Sequence, residues 1–223
     1  MSKVLFVSPH PDDETLGCGG TILKHRSGGD SVYWLILTNV NDEKTWGKKG
    51  IRSRQAEIKA VAEGFGFAGV FKLDYDTTGL KEVPFGELTN RISEVVSEVQ
   101  PETIYVNNRS DIHSDHKVSF EAVMSASKSF NHPYVKRILM YETVSETDFA
   151  PSFQENAFLP DYFVDVTGHM VRKLDLIRIY KSEVKPHPFP RSEKNLKALA
   201  TLRGAQCGVE YAEAFMVLKW IWK

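Results

Sequence analysis

The stretch KVLFVSPHPDDETLGCGG, residues 3–20, joins an unbroken apolar run to a histidine, three acids and a glycine cluster. Residues 3–8 (KVLFVS) show no polar–apolar alternation, the pattern of a strand buried on both faces, as in a parallel sheet covered by helices. Residues 31–38 (SVYWLILT) read the same way, and a helix-length segment, 14–28, closed by Gly28 and Gly29, lies between them. Strand, helix, strand at this spacing is a βαβ unit, and the rest of the chain repeats it. Helices are predicted over 51–66, 85–99, 116–130, 168–184 and 192–203, and strands over 70–75, 102–108, 137–144 and, at an edge, 161–167. The proline-punctuated stretch 185–192 is expected as a loop. The fold class is therefore α/β, a Rossmann-like three-layer αβα sandwich with a mostly parallel sheet. No repeat or low-complexity linker divides the chain, so residues 1–223 are expected to form a single domain.

Composition narrows the function. With 28 Lys+Arg against 29 Asp+Glu, the net charge of −1 gives no electrostatic footprint for nucleic acid or an anionic membrane. No run reaches the apolar length of a membrane span, and the start lacks the features of a signal peptide. Two cysteines, Cys18 and Cys207, suit a reducing compartment. A cytoplasmic enzyme or binding protein for a small molecule is expected, with a homo-oligomer left open.

Ligands of open parallel sheets bind beyond the carboxyl ends of the strands, which is where His10, Asp12, Asp13 and Glu14 fall. His10 and Asp13, three residues apart on a turn stiffened by Pro11, can reach one point from adjacent directions. Imidazole nitrogen with carboxylate oxygen suits zinc. Asp12 then remains free to act on a metal-bound water. A lone aspartate here would equally well cap the following helix, but two in a row beside a histidine are harder to explain that way. The GCGG cluster is not the dinucleotide-binding G-x-G-x-x-G pattern, and its glycines are expected to let the first helix pack closely on the sheet.

The second cluster, DIHSDH (residues 111–116), follows the strand predicted at 102–108 and so lies on the same sheet edge. Either His113 or His116 could complete a three-ligand site, with the other free to donate a proton or hydrogen bond. Asp115 is a natural orienter for a histidine.

Together, HPDDETLGCGG and DIHSDH resemble the PIG-L / LmbE-like family of zinc-dependent N-acetylglucosaminyl deacetylases. RSRQAE, DVTGHMVRKLDLIRIYKSE and RGAQCGVEYAEAF resemble further segments of that family more loosely. The resemblance implies one Zn²⁺ per chain held by His10, Asp13 and His116, and Asp12 as general base. It also implies that a protonated His113 stabilises the oxyanion, that Asp115 orients His113, and that Arg54 holds substrate. Asn107, Asn108 and Arg109 could meet sugar hydroxyls, and Trp46, expected in a loop, could stack on a sugar face. The implied substrate is an N-acetylated sugar or sugar conjugate, with acetate and a free amino sugar as products. A two-metal phosphoesterase and a non-catalytic sugar- or nucleotide-binding protein are the rival readings.

Overall fold

The computed structural model describes residues 1–222. Seven strands form one sheet in the order β3-β2-β1-β4-β5-β7-β6. The strands are β1 (Lys3–Ser8), β2 (Ser31–Asn39), β3 (Gly69–Asp76), β4 (Thr103–Asn107), β5 (Arg137–Tyr141), β6 (Tyr162–Asp165) and β7 (Ala212–Trp220). Strands β1 to β5 pair in parallel, whereas β7 runs antiparallel to both β5 and β6. This is the mostly parallel α/β sheet expected.

Six α-helices cover it: α1 (Asp13–Ser27), α2 (Glu43–Phe65), α3 (Phe85–Val99), α4 (Ser114–Ala126), α5 (Met170–Ile177) and α6 (Glu193–Cys207). The apolar stripes of α1, α2, α5 and α6 pack with Phe6, Trp34, Tyr105 and Tyr141 on one face of the sheet. Helices α3 and α4 pack with Leu5, Leu35, Ile104 and Met140 on the other. Strands β1 and β4 are thus neighbours whose following helices leave toward opposite faces. The crevice between their carboxyl ends is a topological switch point.

The glycines of α1 do serve close packing. A Cβ on Gly17 would come within 2.4 Å of the Tyr141 ring on β5, and one on Gly20 within 2.6 Å of Val166. The middle of α1 is also gripped from the far end of the chain. The Gly20 and Thr21 N–H groups donate to the Glu213 carboxylate of β7 at 2.8 and 2.7 Å. Lys173 of α5 donates to the Leu16 carbonyl at 2.8 Å and pairs with Glu213 at 2.7 Å.

Beyond shifts of up to four residues at the ends of β5, α4 and α6, three elements depart from expectation. Helix α2 starts eight residues early, because Asp42 caps it by accepting from the Lys44 and Thr45 N–H groups. Trp46, expected in a loop, therefore sits in its first turn, ahead of a kink at Gly47 (φ 62°, ψ 159°). Helix α5 ends at Ile177, well short of 184, as the chain tightens to bury Tyr180 with its hydroxyl on Glu14. Strand β7 was not foreseen, and its insertion leaves β6 at the edge. Among the described residues no helix is long and apolar enough to cross a membrane.

Candidate active site

Asp12 occupies the N-cap position of α1, yet its side chain makes no capping bond. Its backbone is held at φ 141°, ψ −26°, a conformation that strains any residue but glycine, at a typical cost of about 1–3 kcal/mol. The strain turns the carboxylate away from the helix and toward the crevice. Glu14 holds that backbone in place, its Oε2 accepting the Asp12 N–H at 3.0 Å. Asp13, one residue on, folds back so that its Oδ2 accepts the His10 N–H at 2.8 Å.

That same Asp13 Oδ2 lies 3.5 Å from His10 Nδ1 and 3.2 Å from His116 Nε2, and the two ring nitrogens are 3.3 Å apart. Three donor atoms from two strand ends converge on one point. Each histidine is backed on its other nitrogen by a carboxylate: His10 Nε2 by Asp115 at 3.0 Å and His116 Nδ1 by Asp111 at 2.8 Å. A carboxylate behind each imidazole fixes ring orientation and raises basicity, the usual support of metal-ligating histidines. Asp111 is itself fixed by the Asn108 amide at 2.9 Å and the Thr147 hydroxyl at 2.6 Å.

Electrostatics agree with a cation site. Burial pulls His10 down, but its hydrogen bonds to Asp115 and Asp13 prevail and push it up to about 9. His116 is fully buried, which disfavours its charge, yet Asp13 and Asp111 raise it well above the ordinary imidazole value. Burial would raise Asp13, but the charge of His116 and hydrogen bonds from His10 and His116 hold it well below the usual carboxylate range. The cluster thus takes up protons where no metal ion stands, and two imidazoles with one carboxylate fit a zinc-type ion with open positions. His10, His113 and Asp115 form a second possible group, which shares His10 with the first.

His113 caps α4, its Nδ1 accepting the Asp115 N–H at 3.1 Å. An acceptor nitrogen carries no proton, so the neutral ring bears its hydrogen on Nε2. Burial and then the charge of His10 push His113 down to about 4. This corrects two expectations: the ring is neutral near pH 7, and Asp115 holds it through a backbone N–H. The Asp115 carboxylate turns to His10 because Thr78 N–H and Leu80 N–H fix its oxygens there, at 2.7 and 3.2 Å.

A cavity of about 160 Å³ opens over the cluster, lined by His10, Asp12, Trp46, Arg54, His113 and Arg191 among others. A larger hollow of about 300 Å³ lies between α6 and residues 142–148 and holds none of these groups. Burial lifts the Asp12 carboxyl to about 7, tempered by Arg191, whose Nη1 donates to Asp12 Oδ2 at 2.9 Å. Arg54 lines the cavity, but its guanidinium is engaged within the chain. Nη1 donates to the Pro11 carbonyl at 2.9 Å, Nη2 to Ser182 and Glu183, and Nε lies 3.4 Å from Glu57. Asn107 and Asn108 are buried, bonded to the His116 carbonyl and to Asp111, and so brace the second cluster instead of facing a ligand. Arg109 donates to the Glu155 carbonyl. The sequence assigns no role to Asp111, Glu146, Glu183 or Arg191, although Asp111 lies inside the second motif and Glu183 closes the segment DVTGHMVRKLDLIRIYKSE.

A Rossmann-like sheet with a His/Asp/His cluster and a strained aspartate at its switch point defines a class of metal-dependent hydrolases. A PIG-L profile, described as GlcNAc-PI de-N-acetylase, matches residues 5–127, and the chain belongs to that family. It is similar to a diacetylchitobiose deacetylase of Thermococcus kodakarensis, 29% identical across 96% of this chain and 82% of that protein. It also resembles a probable N-acetyl-alpha-D-glucosaminyl L-malate deacetylase 2 of Bacillus anthracis, 26% identical over 81% of this chain and 80% of the relative. The solved N,N'-diacetylchitobiose deacetylase of Pyrococcus horikoshii, in complex with an inhibitor, superposes with a TM-score of 0.77 at 25% identity, covering 98% of this chain and 84% of that one. The chain is an N-deacetylase, a hydrolase of amide bonds.

Proposed function

We propose that this N-deacetylase is zinc-dependent, acts on an uncharged N-acetylglucosaminide, and releases acetate and a free amino sugar. The observation that carries the reading is the convergence of His10 Nδ1, Asp13 Oδ2 and His116 Nε2 beside Asp12. These three atoms would hold the ion. When bound, it supplies a water of lowered pKa and a Lewis acid for the acetamide carbonyl.

Asp12 takes the proton of the attacking water as the C–O bond forms, and returns it to the sugar nitrogen as the C–N bond breaks. A carboxyl lifted to about 7 suits both directions of that transfer. His113 donates its Nε2–H to the carbonyl oxygen as negative charge gathers there, and a neutral ring is sufficient.

The uncharged substrate follows from the two arginines lining the cavity. Every nitrogen of Arg54 and of Arg191 is engaged by the chain's own groups. Among the described lining residues no free cation remains for a phosphate or carboxylate, whereas the half-exposed Trp46 offers a flat apolar wall. A reducing, cytoplasmic setting suits the free thiols of Cys18 and Cys207.

The test is acetate release from N,N'-diacetylchitobiose by the zinc-loaded protein, with a chelator control and the N-acetylglucosaminyl malate conjugate alongside. The disaccharide should be preferred, one ion should bind per chain, and Asp12→Asn should lose about 10²-fold or more in kcat while keeping its metal. Near-normal turnover by Asp12→Asn would end the mechanism, preference for the malate conjugate would end the substrate reading, and two required ions would favour a phosphoesterase.

A further inference from the structure

Arg191 lies between α5 and α6, one residue before Ser192, whose hydroxyl caps α6. Its guanidinium reaches three other segments of the chain. Nη1 donates to Asp12 Oδ2 and to Glu183 Oε2, both at 2.9 Å, Nη2 donates to Glu146 Oε1 at 3.2 Å, and Nε donates to the Ser145 hydroxyl at 2.7 Å. The side chain is 19% exposed, so these contacts are largely shielded from water.

The geometry points to Arg191 as a positioning residue for the deacetylation, one that sets the rotation of the Asp12 carboxylate. An Asp12 backbone fixed by Glu14 still leaves its carboxylate free to turn about the Cα–Cβ and Cβ–Cγ bonds. Arg191 removes that freedom by binding one oxygen. Oδ1 accepts no hydrogen bond from any described residue and is the oxygen left to take a proton. General-base catalysis needs that oxygen within hydrogen-bond reach of the water, and small misplacements are costly. An arginine suits the task because its planar fork binds several fixed acceptors at once, which a lysine cannot do.

Two other roles fit the contacts less well. A substrate-gripping arginine would turn a free N–H edge to the cavity, whereas the chain's own groups take four of the five N–H groups of Arg191, both of those on Nη1 included. A plain loop staple would not need to end on the catalytic carboxylate, since Glu183, Glu146 and Ser145 already tie the loop down.

The inference rests on the deacetylase reading above, which wild-type turnover of N,N'-diacetylchitobiose tests separately. The experiment compares zinc-loaded wild type, Arg191→Ala and Arg191→Lys on that substrate, with metal content and melting temperature measured for each. Arg191→Ala should lose about tenfold or more in kcat with KM nearly unchanged and zinc retained. Guanidinium ion at low millimolar concentration should restore part of that loss, and Arg191→Lys should fall between the two. A raised KM at wild-type kcat would make Arg191 a substrate ligand, overturning the inference. So would unchanged kinetics, or loss of kcat that tracks loss of stability in both variants and that guanidinium does not relieve. A wild type that releases no acetate would remove the deacetylase reading and this inference with it.

Discussion

The carboxylate of Asp115 lies 3.0 Å from Nε2 of His10, 105 residues away, and 4.0 Å from Nδ1 of His113, two residues away. It therefore supports the His10 ring and not the ring of His113. Asp115→Asn should weaken zinc binding by about 10- to 100-fold, the usual cost of losing such a partner. Competition against a chromophoric chelator measures it. Unaltered zinc affinity with reduced kcat would hand Asp115 back to His113.

His113 should act at full strength without being protonated. His113→Ala should lower kcat by about 10²–10³ with little change in KM, as for other oxyanion donors. Because the ring titrates near 4, the loss should be the same at every pH from 6 to 9, with no limb of the profile removed. Disappearance of an alkaline limb in the variant would show that a protonated His113 does the work.

Zinc binding should expel protons. His10, raised to about 9, and His116, raised well above the ordinary imidazole value by Asp13 and Asp111, favour their protonated forms in the metal-free protein and must lose those protons to coordinate. Calorimetric titration in buffers of different ionisation enthalpy should give between one and two protons released per ion, and an affinity that falls as pH falls. Proton-independent binding would mean the histidines are not the ligands.

Glu14 makes stability itself depend on pH. Its carboxyl is fully buried beneath Asp12 and lifted from an ordinary 4.5 to about 8, chiefly by burial. Between those values the folded state binds a proton that the unfolded chain does not, so stability falls as pH rises. The contribution is complete below about pH 4.5, declines through neutrality and is gone above pH 8. Glu14→Gln, which mimics the protonated form, should flatten the fall in melting temperature between pH 5 and 8 for the metal-free protein. An equal slope in both proteins would count against it.

What the sequence revealed and concealed follows from the range of each interaction. Strand β1, helix α3 and the two polar clusters were legible because apolar periodicity and ligand spacing are local. The kinked start of α2 was half-legible: Asp42 is a good cap, but Gly47 and Gly50 disguised the helix behind it. Arg191 and Asp12 are 179 residues apart, and no spacing rule connects them. The same holds for β7, whose place between β5 and β6 is set by pairing on both edges and not by its own pattern. His113 misled because proximity in sequence to Asp115 suggested a side-chain pair, where the helix start allowed only a backbone one.

The grip of Glu213 on the middle of α1 bears on how the enzyme is made. Every candidate metal ligand and proton-handling side chain lies within the first 116 residues. The helix that carries Asp13 is tied through Gly20 and Thr21 to a carboxylate on the last strand, and through Leu16 to Lys173. Arg191 also arrives late. A nascent chain stopped short of β7 would own all the chemistry and lack the tie that anchors helix α1.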